Sequence, residues 1–485
     1  MKKSKKGYVS GVITYILGTV VLLGVIVLML VFNLMYTGAG SFNRYVEDNV
    51  STLIIVGCSF VILSGIMYCY FYFENKKYIT SAGKITEVFL ILIISLVATY
   101  LISTFVDTAA RPVAFLALIC VTLMGRREAI FLNMIFALQM FILDSFTDIM
   151  VAEADVALSY NFLILTFCTG MIAIFITPKI KSRLGSVIIS FILLIPIELI
   201  TTLLRVTEMG NSLNDTLMSL LFGALGSFFS VLMYMFLLPV FEMIFSELTV
   251  FRLRELTSDQ AKLMRRLKRN APGTYNHSMV VAQLAEACAQ AIGEDSELAR
   301  AAAYYHDVGK LKSPDMFSEN QKEYNMHNEL TPELSVDIIR SHTRDGAQLI
   351  RKAHLPDFFA DIAIQHHGTM PIKYFYAKAL KMSDGELKMS NYSYAGPTPQ
   401  TKIAAIIMIA DASEAASRSL PVRSPDRVEE LVRNLIEERI DLDQFANCDI
   451  TMSELTTIKL TIVSQLTGVY HSRVAYPKLK ASKKH

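Results

Sequence analysis

Long apolar runs crowd the first half of the chain, at 11–36, 52–73, 88–106, 161–177, 186–204 and 216–245. A helix needs about 20 mostly apolar residues to cross roughly 30 Å of hydrocarbon. These six runs are therefore predicted to be membrane-spanning α-helices. A further apolar stretch, 112–145, is broken by Gly125-Arg126-Arg127-Glu128. That segment is too charged for the centre of a bilayer, so the stretch is predicted to form two short spans, which brings the expected number to eight.

The basic residues orient this bundle, since cytoplasmic loops carry the excess of Lys and Arg. With the N-terminus inside, the inner segments hold Lys2, Lys3, Lys5 and Lys6, then Lys76, Lys77 and Lys84, then Arg126 and Arg127, then Lys179, Lys181 and Arg183. The outer segments hold single cations, Arg44, Arg111 and Arg205, among the acids Glu47, Asp48, Asp148, Glu153 and Asp155. Eight spans leave both ends of the membrane half in the cytoplasm, the arrangement expected of a multi-pass cell-membrane protein. The first run is far longer than the 7–15 residue apolar region of a secretory signal, so it is expected to stay as an anchor. Asp144 and Glu198 stand within apolar runs and are expected to make helix-end or interhelical polar contacts rather than an ion relay.

The two halves of the chain differ sharply. Overall, 53% of the 485 residues are hydrophobic, 19% are charged, and mean hydropathy is +0.41, which excludes an ordinary water-soluble globular protein. A net charge of +2 gives no electrostatic case for a nucleic-acid polymer as partner. All nine histidines lie at or after His277. The six cysteines, Cys58, Cys69, Cys120, Cys168, Cys288 and Cys448, form no C-x-x-C pair, which argues against a disulfide framework or a thiolate zinc site.

Four segments follow from these shifts: a transmembrane domain at 1–245, an amphipathic connector helix at 246–270, an all-α domain at 271–475, and a basic tail at 476–485. In the connector, Leu248, Phe251, Leu256, Leu263, Met264 and Leu267 recur at helical spacing among cations. The cations suit an anionic membrane face, and the connector serves either as a tether or as a mechanical coupler. Beyond it, Val280, Val281, Leu284, Ala285, Cys288 and Ile292 mark a helix that Gly293 stops, and the next helix begins near Asp295 and carries His306-Asp307-Val-Gly-Lys310. No stretch alternates as a strand does, so the fold class is all-α: a polytopic helical membrane domain followed by a helical domain.

A lone histidine or a bare His-Asp pair carries little information. Here five histidines and two aspartates stand at or near the ends of apolar helical segments, where they can converge inside one bundle. Neutral imidazoles and carboxylates without thiolates suit manganese, iron or cobalt. An aspartate beside a ligand histidine can also offer one oxygen to each of two ions.

His306-Asp307-Val-Gly-Lys310, with His277 upstream and Asp411 downstream, resembles the signature of the HD-domain metallophosphohydrolases. More narrowly, Ala271-Pro-Gly-Thr-Tyr-Asn-His277, Glu319-Asn-Gln, Ser341-His342-Thr-Arg-Asp-Gly, His366-His367-Gly-Thr, Gly396-Pro-Thr-Pro-Gln and Ala410-Asp411-Ala-Ser-Glu-Ala-Ala resemble the PgpH-type seven-transmembrane HD proteins, which are bacterial cyclic di-AMP phosphodiesterases. The resemblance implies that His277, His306, Asp307 and Asp411 hold one divalent ion. Asp307 would bridge to a second, held by His342, His366 and His367, with manganese or iron as the metal. It also implies a catalytic role for Asp307 and Lys310, with Lys310 binding a substrate phosphate, and the opening of cyclic di-AMP to linear pApA. The family pattern has a histidine where Asn276 stands, and a large extracellular domain where this chain has only about 37–51. Three rivals remain at this point: hydrolysis of cyclic di-GMP, a mononuclear HD phosphohydrolase acting on nucleoside phosphates, and a membrane sensor whose HD domain binds nucleotide without turnover. Tyr374, Tyr376 and the 392–399 loop are candidates for stacking on a base, whereas His327, His354, His471 and His485 are expected to stay off the metal. The partners expected are the lipid bilayer and a cyclic dinucleotide, with a homodimer left open.

Overall fold

A computed structural model describes residues 2–37, 42–146, 156–180, 182–206, 213–321, 324–383, 386–420 and 424–469. Asp148, Glu153, Asp155, Lys181, His471, His485 and the 476–485 tail lie outside these residues, as do the side chains of Glu198 and Arg205. Among the described residues the structure is helical throughout, with no strand and a single bridge between Pro371 and Ser393. The chain divides into two compact units, Met1–Phe251 and Arg252–His485.

The first unit contains α1 (Lys2–Thr37), α2 (Phe42–Glu74), α3 (Lys76–Ile79), α4 (Ala82–Phe105), α5 (Phe115–Leu123), α6 (Arg126–Phe146), α7 (Val156–Ile176), α8 (Val187–Val206) and α9 (Leu213–Phe245). Six of its helices are long and apolar enough to cross a membrane, and two shorter apolar segments, Thr108–Leu123 and Leu184–Ile197, accompany them. Ile13, Ile16, Val20, Ile62, Phe191, Ile195 and Phe236 are exposed, which is the pattern of a surface solvated by lipid rather than water. The chain is a multi-pass membrane protein.

The two short spans expected at 112–145 need correcting. Gly125, at φ +103, turns the chain sharply, but α6 then runs a full 21 residues because Arg126, Arg127 and Glu128 lie at its start rather than inside it. Only α5 is short, at nine residues. Its side chains from Phe115 to Cys120 are completely buried, so it is wrapped by protein and does not itself have to match the thickness of the lipid.

Arg111 is likewise not a solvated outer cation. It is 1% exposed, its Nη1 and Nη2 donate to the two oxygens of Asp144 at 2.8 and 3.1 Å, and its guanidinium lies 4.1 Å from the Phe162 ring centroid. Asp144 therefore serves as an interhelical contact. At the opposite end of the bundle, Gly7 packs against the Thr80 carbonyl, Arg127 pairs with Glu74, Lys84 reaches Glu247 at 2.5 Å, and Arg183 reaches Glu242 at 2.6 Å. The start of α1, the basic loops and the exit from α9 thus share one end of this unit.

The connector is not one helix. The chain leaves α9 through Ser246, whose φ is +57, and then forms α10 (Val250–Leu256) and α11 (Lys262–Asn270) separated by a turn. Leu263, Met264 and Leu267 of α11 are buried in the second unit, so that amphipathic face covers core rather than membrane. The remaining helices are α12 (Pro272–Ile292), α13 (Ser296–Tyr305), α14 (Pro332–Lys352), α15 (Asp357–Gln365), α16 (Lys373–Met382), α17 (Lys402–Arg418), α18 (Pro425–Asp441) and α19 (Met452–Val469). α12 is the central rod, flanked by α13, α17 and α19, while α14 pairs with α15. The alanines at 299 and 301–303 are fully buried and let α13 approach α12 closely.

Removing one partner of a buried ion pair leaves an uncompensated charge, at a cost of about 3–5 kcal/mol. Asp144→Ala is therefore expected to lower the thermal stability of the detergent-solubilised protein by that order. A variant that also replaces Arg111 with Met should recover part of the loss, and unfolding curves of the two proteins measure it.

Candidate metal centre

Five elements bring their side chains to one point. His277 projects from α12, His342 from α14 and Asp411 from α17, while His306-Asp307 and His366-His367 directly follow the last residues of α13 and α15. The sequence predicts that the second helix carries on through Lys310. It ends at Tyr305, and Val308–Lys312 tightens into a 3-10 turn. Gly309 explains why: a Cβ there would stand 1.9 Å from the His342 carbonyl oxygen and 2.5 Å from the Gly346 nitrogen. Only glycine lets the turn bearing Asp307 press against the helix bearing His342. Gly368, at φ +51, reverses the chain after His367, and Gln444 fastens that turn by accepting from Thr369 N at 2.9 Å.

The seven side chains form two adjoining groups, Asp307 with His342, His366 and His367, and His277 with His306 and Asp411; within each group the potential ligand atoms lie within 4.8 Å of one another. Asp307 joins them. Its Oδ1 faces His342 Nε2 at 3.3 Å and His366 Nε2 at 3.6 Å, while its Oδ2 faces His306 Nε2 at 3.4 Å and His277 Nε2 at 3.7 Å. One carboxylate thus presents an oxygen to each group.

The tautomers follow from the neighbours, because a carbonyl oxygen can only accept. His306 Nδ1 donates to Ala303 O at 2.6 Å, His342 Nδ1 to Ile339 O at 2.5 Å, and His366 Nδ1 to Ala363 O at 2.9 Å. The neutral ring then carries its lone pair on Nε2, aimed inward, as metal-binding imidazoles do. His342 Nε2 and His366 Nε2 meet at 3.3 Å, and the buried atoms His306 Nε2 and Asp307 Oδ1 have no hydrogen-bond partner. A ring nitrogen lone pair and a carboxylate oxygen left without a hydrogen-bond partner inside a protein are costly unless a cation lies between them. The donor set fits divalent metal, with oxygen and imidazole ligands and no thiolate.

Protonation divides the imidazoles: burial works against charging His306, yet Asp307 and Asp411 raise it to about 10, and His366 and His367 shift the other way. Burial pushes His366 down to about 4, and burial together with His366 holds His367 well below its ordinary value. Both rings are therefore neutral, the form that binds metal. Burial works against ionising Asp307, yet Lys310 and His306 hold its carboxyl well below the usual carboxylate range.

Lys310 Nζ lies 2.7 Å from Asp307 Oδ2 and 2.8 Å from Glu319 Oε1. Glu319 also accepts from Thr274 at 3.0 Å, and Asn320 Oδ1 accepts from the N–H groups of Gly273 and Thr274 at 2.9 and 3.2 Å. The loop bearing Glu319 is in this way tied to the start of α12, where a Cβ on Gly273 would strike the Glu319 carbonyl. His277 Nδ1 is held at 2.5 Å by Glu414 Oε2.

Sequence reasoning assigned Glu319 and Glu414 no role. The available signal was spacing, since Glu414 follows Asp411 by three residues and shares its helical face. A cleft of about 730 Å³ opens over the centre, with Phe317, Tyr374, Phe375 and Tyr394 in its walls. The Tyr394 ring stacks on His367 with centroids 4.3 Å apart. Of the other candidates, Tyr392 is 3% exposed and hydrogen-bonds Glu333, and Tyr376 donates to Leu387 O at 3.3 Å, so both pack the fold. His327 lines the cleft away from either ligand group and gives Nε2 to Met316 O at 2.8 Å.

Comparison with known proteins agrees with this architecture. The HD domain family matches residues 274–416, and the family described as 7TM receptor with intracellular HD hydrolase matches residues 50–249. The cyclic-di-AMP phosphodiesterase PgpH of Listeria monocytogenes is 39% identical over 370 residues, which is 76% of this chain and 50% of that protein. PgpH of Bacillus subtilis is 45% identical over 266 residues, 55% of this chain and 37% of that protein. A crystal structure of the L. monocytogenes PgpH HD domain in complex with cyclic-di-AMP is 48% identical, with a TM-score of 0.42, and covers 44% of this chain and 99% of that one. The chain spans half or less of the length of the curated relatives it matches. Apolar membrane helices followed by an HD domain define the class. Within it, the chain is similar to the PgpH-type family of seven-transmembrane HD proteins over most of its own length.

Two substitutions test how the centre is built. Groups that orient metal ligands typically contribute 10–100-fold in affinity, so Glu414→Gln is expected to weaken divalent-metal binding by about that factor, read by elemental analysis after dialysis at graded metal concentrations. Gly309→Ala is expected to separate Asp307 from His342, lowering both the metal content and the melting temperature.

Proposed function

We propose that this protein is a membrane-bound, metal-dependent phosphodiesterase that opens cyclic di-AMP to linear pApA and so sets the level of that second messenger. The observation that carries the reading is Asp307, a buried carboxylate whose two oxygens face two separate imidazole sets, beside Lys310 and below an open cleft. His277, His306, Asp307 and Asp411 would hold one divalent ion and Asp307, His342, His366 and His367 a second, with manganese or iron favoured by the ligand chemistry. Ions bound there supply Lewis acidity, both for activating a water and for neutralising charge on the phosphoryl oxygens.

The chain's own residues do the rest. Carbonyl acceptors lock His306, His342 and His366 with Nε2 inward, and Glu414 does the same for His277. Lys310, on the rim of the centre, carries a positive charge to a phosphoryl oxygen, where charge accumulates during phosphoryl transfer. Water adds to phosphorus, the bond from phosphorus to the 3′-oxygen breaks, and that oxygen takes up a proton to give the linear dinucleotide. The aromatic walls at Tyr374 and Tyr394 offer faces for adenine.

The eight-pass reading, with the N-terminus and the HD domain in the cytoplasm, rests on the basic loops and on the common end shared by Gly7, Thr80, Arg127 and Arg183. This location would give the cleft access to a cytoplasmic nucleotide.

The full chain in detergent, loaded with manganese, is expected to convert cyclic di-AMP to pApA, with loss of turnover on chelation and in Asp307→Ala. Preference for cyclic di-GMP would reassign the base specificity, and failure to hydrolyse any cyclic dinucleotide by a folded, metal-loaded protein would overturn the enzyme reading in favour of a sensor.

A further inference from the structure

Two Lys or Arg side chains among the described residues line the cleft over the centre, Lys310 and Arg418. Lys310 is committed to Asp307 and Glu319. Arg418 closes α17, seven residues beyond Asp411 and four beyond Glu414, so all three share one face of that helix. Its Nε and Nη2 donate to Glu414 Oε1 at 2.7 and 2.5 Å, and the other oxygen of Glu414 holds His277. Glu414 is 1% exposed, whereas the Arg418 side chain is 41% exposed. A guanidinium offers five N–H donors in a planar fork. One edge is spent on Glu414, and Nη1, which has no partner among the described residues, remains for the cleft.

A buried glutamate needs a counter-charge, and an arginine one helical turn later supplies it. That requirement alone does not place the guanidinium in the wall of the cleft. A cyclic dinucleotide carries two phosphodiesters, and only one can lie on the His/Asp centre while it reacts. The other phosphate needs a cation elsewhere in the same cleft, and Lys310 stands beside the reacting one.

We propose that Arg418 binds the second, non-reacting phosphate of a cyclic dinucleotide, holding the ring by one phosphate while the other lies on the metal centre. This rests on the reading of the protein as a cyclic dinucleotide phosphodiesterase. The consequence is selectivity: a substrate with two phosphodiesters uses Arg418, and one with a single phosphodiester does not.

The test compares the full chain in detergent with its Arg418→Gln and Arg418→Lys variants on cyclic di-AMP and on bis(p-nitrophenyl) phosphate, with metal content measured on each. A half-exposed charge-assisted hydrogen bond corresponds to about tenfold in binding, so Arg418→Gln is expected to raise KM for cyclic di-AMP by about that factor. Turnover of bis(p-nitrophenyl) phosphate per bound metal should stay at the wild-type level, and Arg418→Lys should recover part of the loss on cyclic di-AMP. Equal losses on both substrates, accompanied by loss of metal, would show that Arg418 acts only through Glu414 and His277 and would overturn the proposal, as would an unchanged KM for cyclic di-AMP. A wild-type protein that hydrolyses bis(p-nitrophenyl) phosphate but neither binds nor cleaves cyclic di-AMP would instead overturn the functional reading on which the proposal stands.

Discussion

The Asp307 carboxylate is the point on which the second unit depends. It is 1% exposed and surrounded by four imidazoles and an ammonium, in a place where an isolated charge could not persist. The helices that supply those partners, α12 and α14 together with the turns after α13 and α15, are also among the helices whose packing forms the core. Stability and chemistry therefore rest on the same contacts. A closely packed glycine, Gly309, lets the aspartate approach His342, and three backbone carbonyls, each three residues before its histidine, aim the rings. The site is a property of helix ends and crossings rather than of any single segment.

An analogous economy of charge orders the membrane half. At one end, Arg111 and Asp144 neutralise each other within the protein, close to a short helix that has no lipid contact along its central turns. At the other end, the basic loops meet the acids Glu74, Glu242 and Glu247. Cations at that end pair with carboxylates that hold the loops and the exit of α9 together.

Much of this was legible beforehand. Length and hydropathy were enough for the long helices, because a bilayer imposes its thickness on any chain that crosses it. The seven His and Asp residues could be named from their short motifs, whose chemistry is local to a few positions. The interruptions were less legible. Arg111 read as a loop cation because its partner lies 33 residues away, and the connector read as one helix because hydrophobic spacing does not register the turn at 257–261 between α10 and α11. Glu414, Glu319 and Arg418 stood in or beside recognised motifs without an assigned role, since a residue that orients another is defined by what it touches.

The sequence by itself determined that this protein enters a membrane many times, that its second half is helical, and that histidines and aspartates of a metal-binding kind are concentrated there. These are consequences of composition and periodicity, which the chain carries along its length. Only the tertiary structure decided that Asp307 presents one oxygen to each of two imidazole groups, that Glu414 fixes His277 from behind, and that Arg418 faces the cleft. Those relations join residues from separate helices, and their distances and directions exist only once the helices have packed.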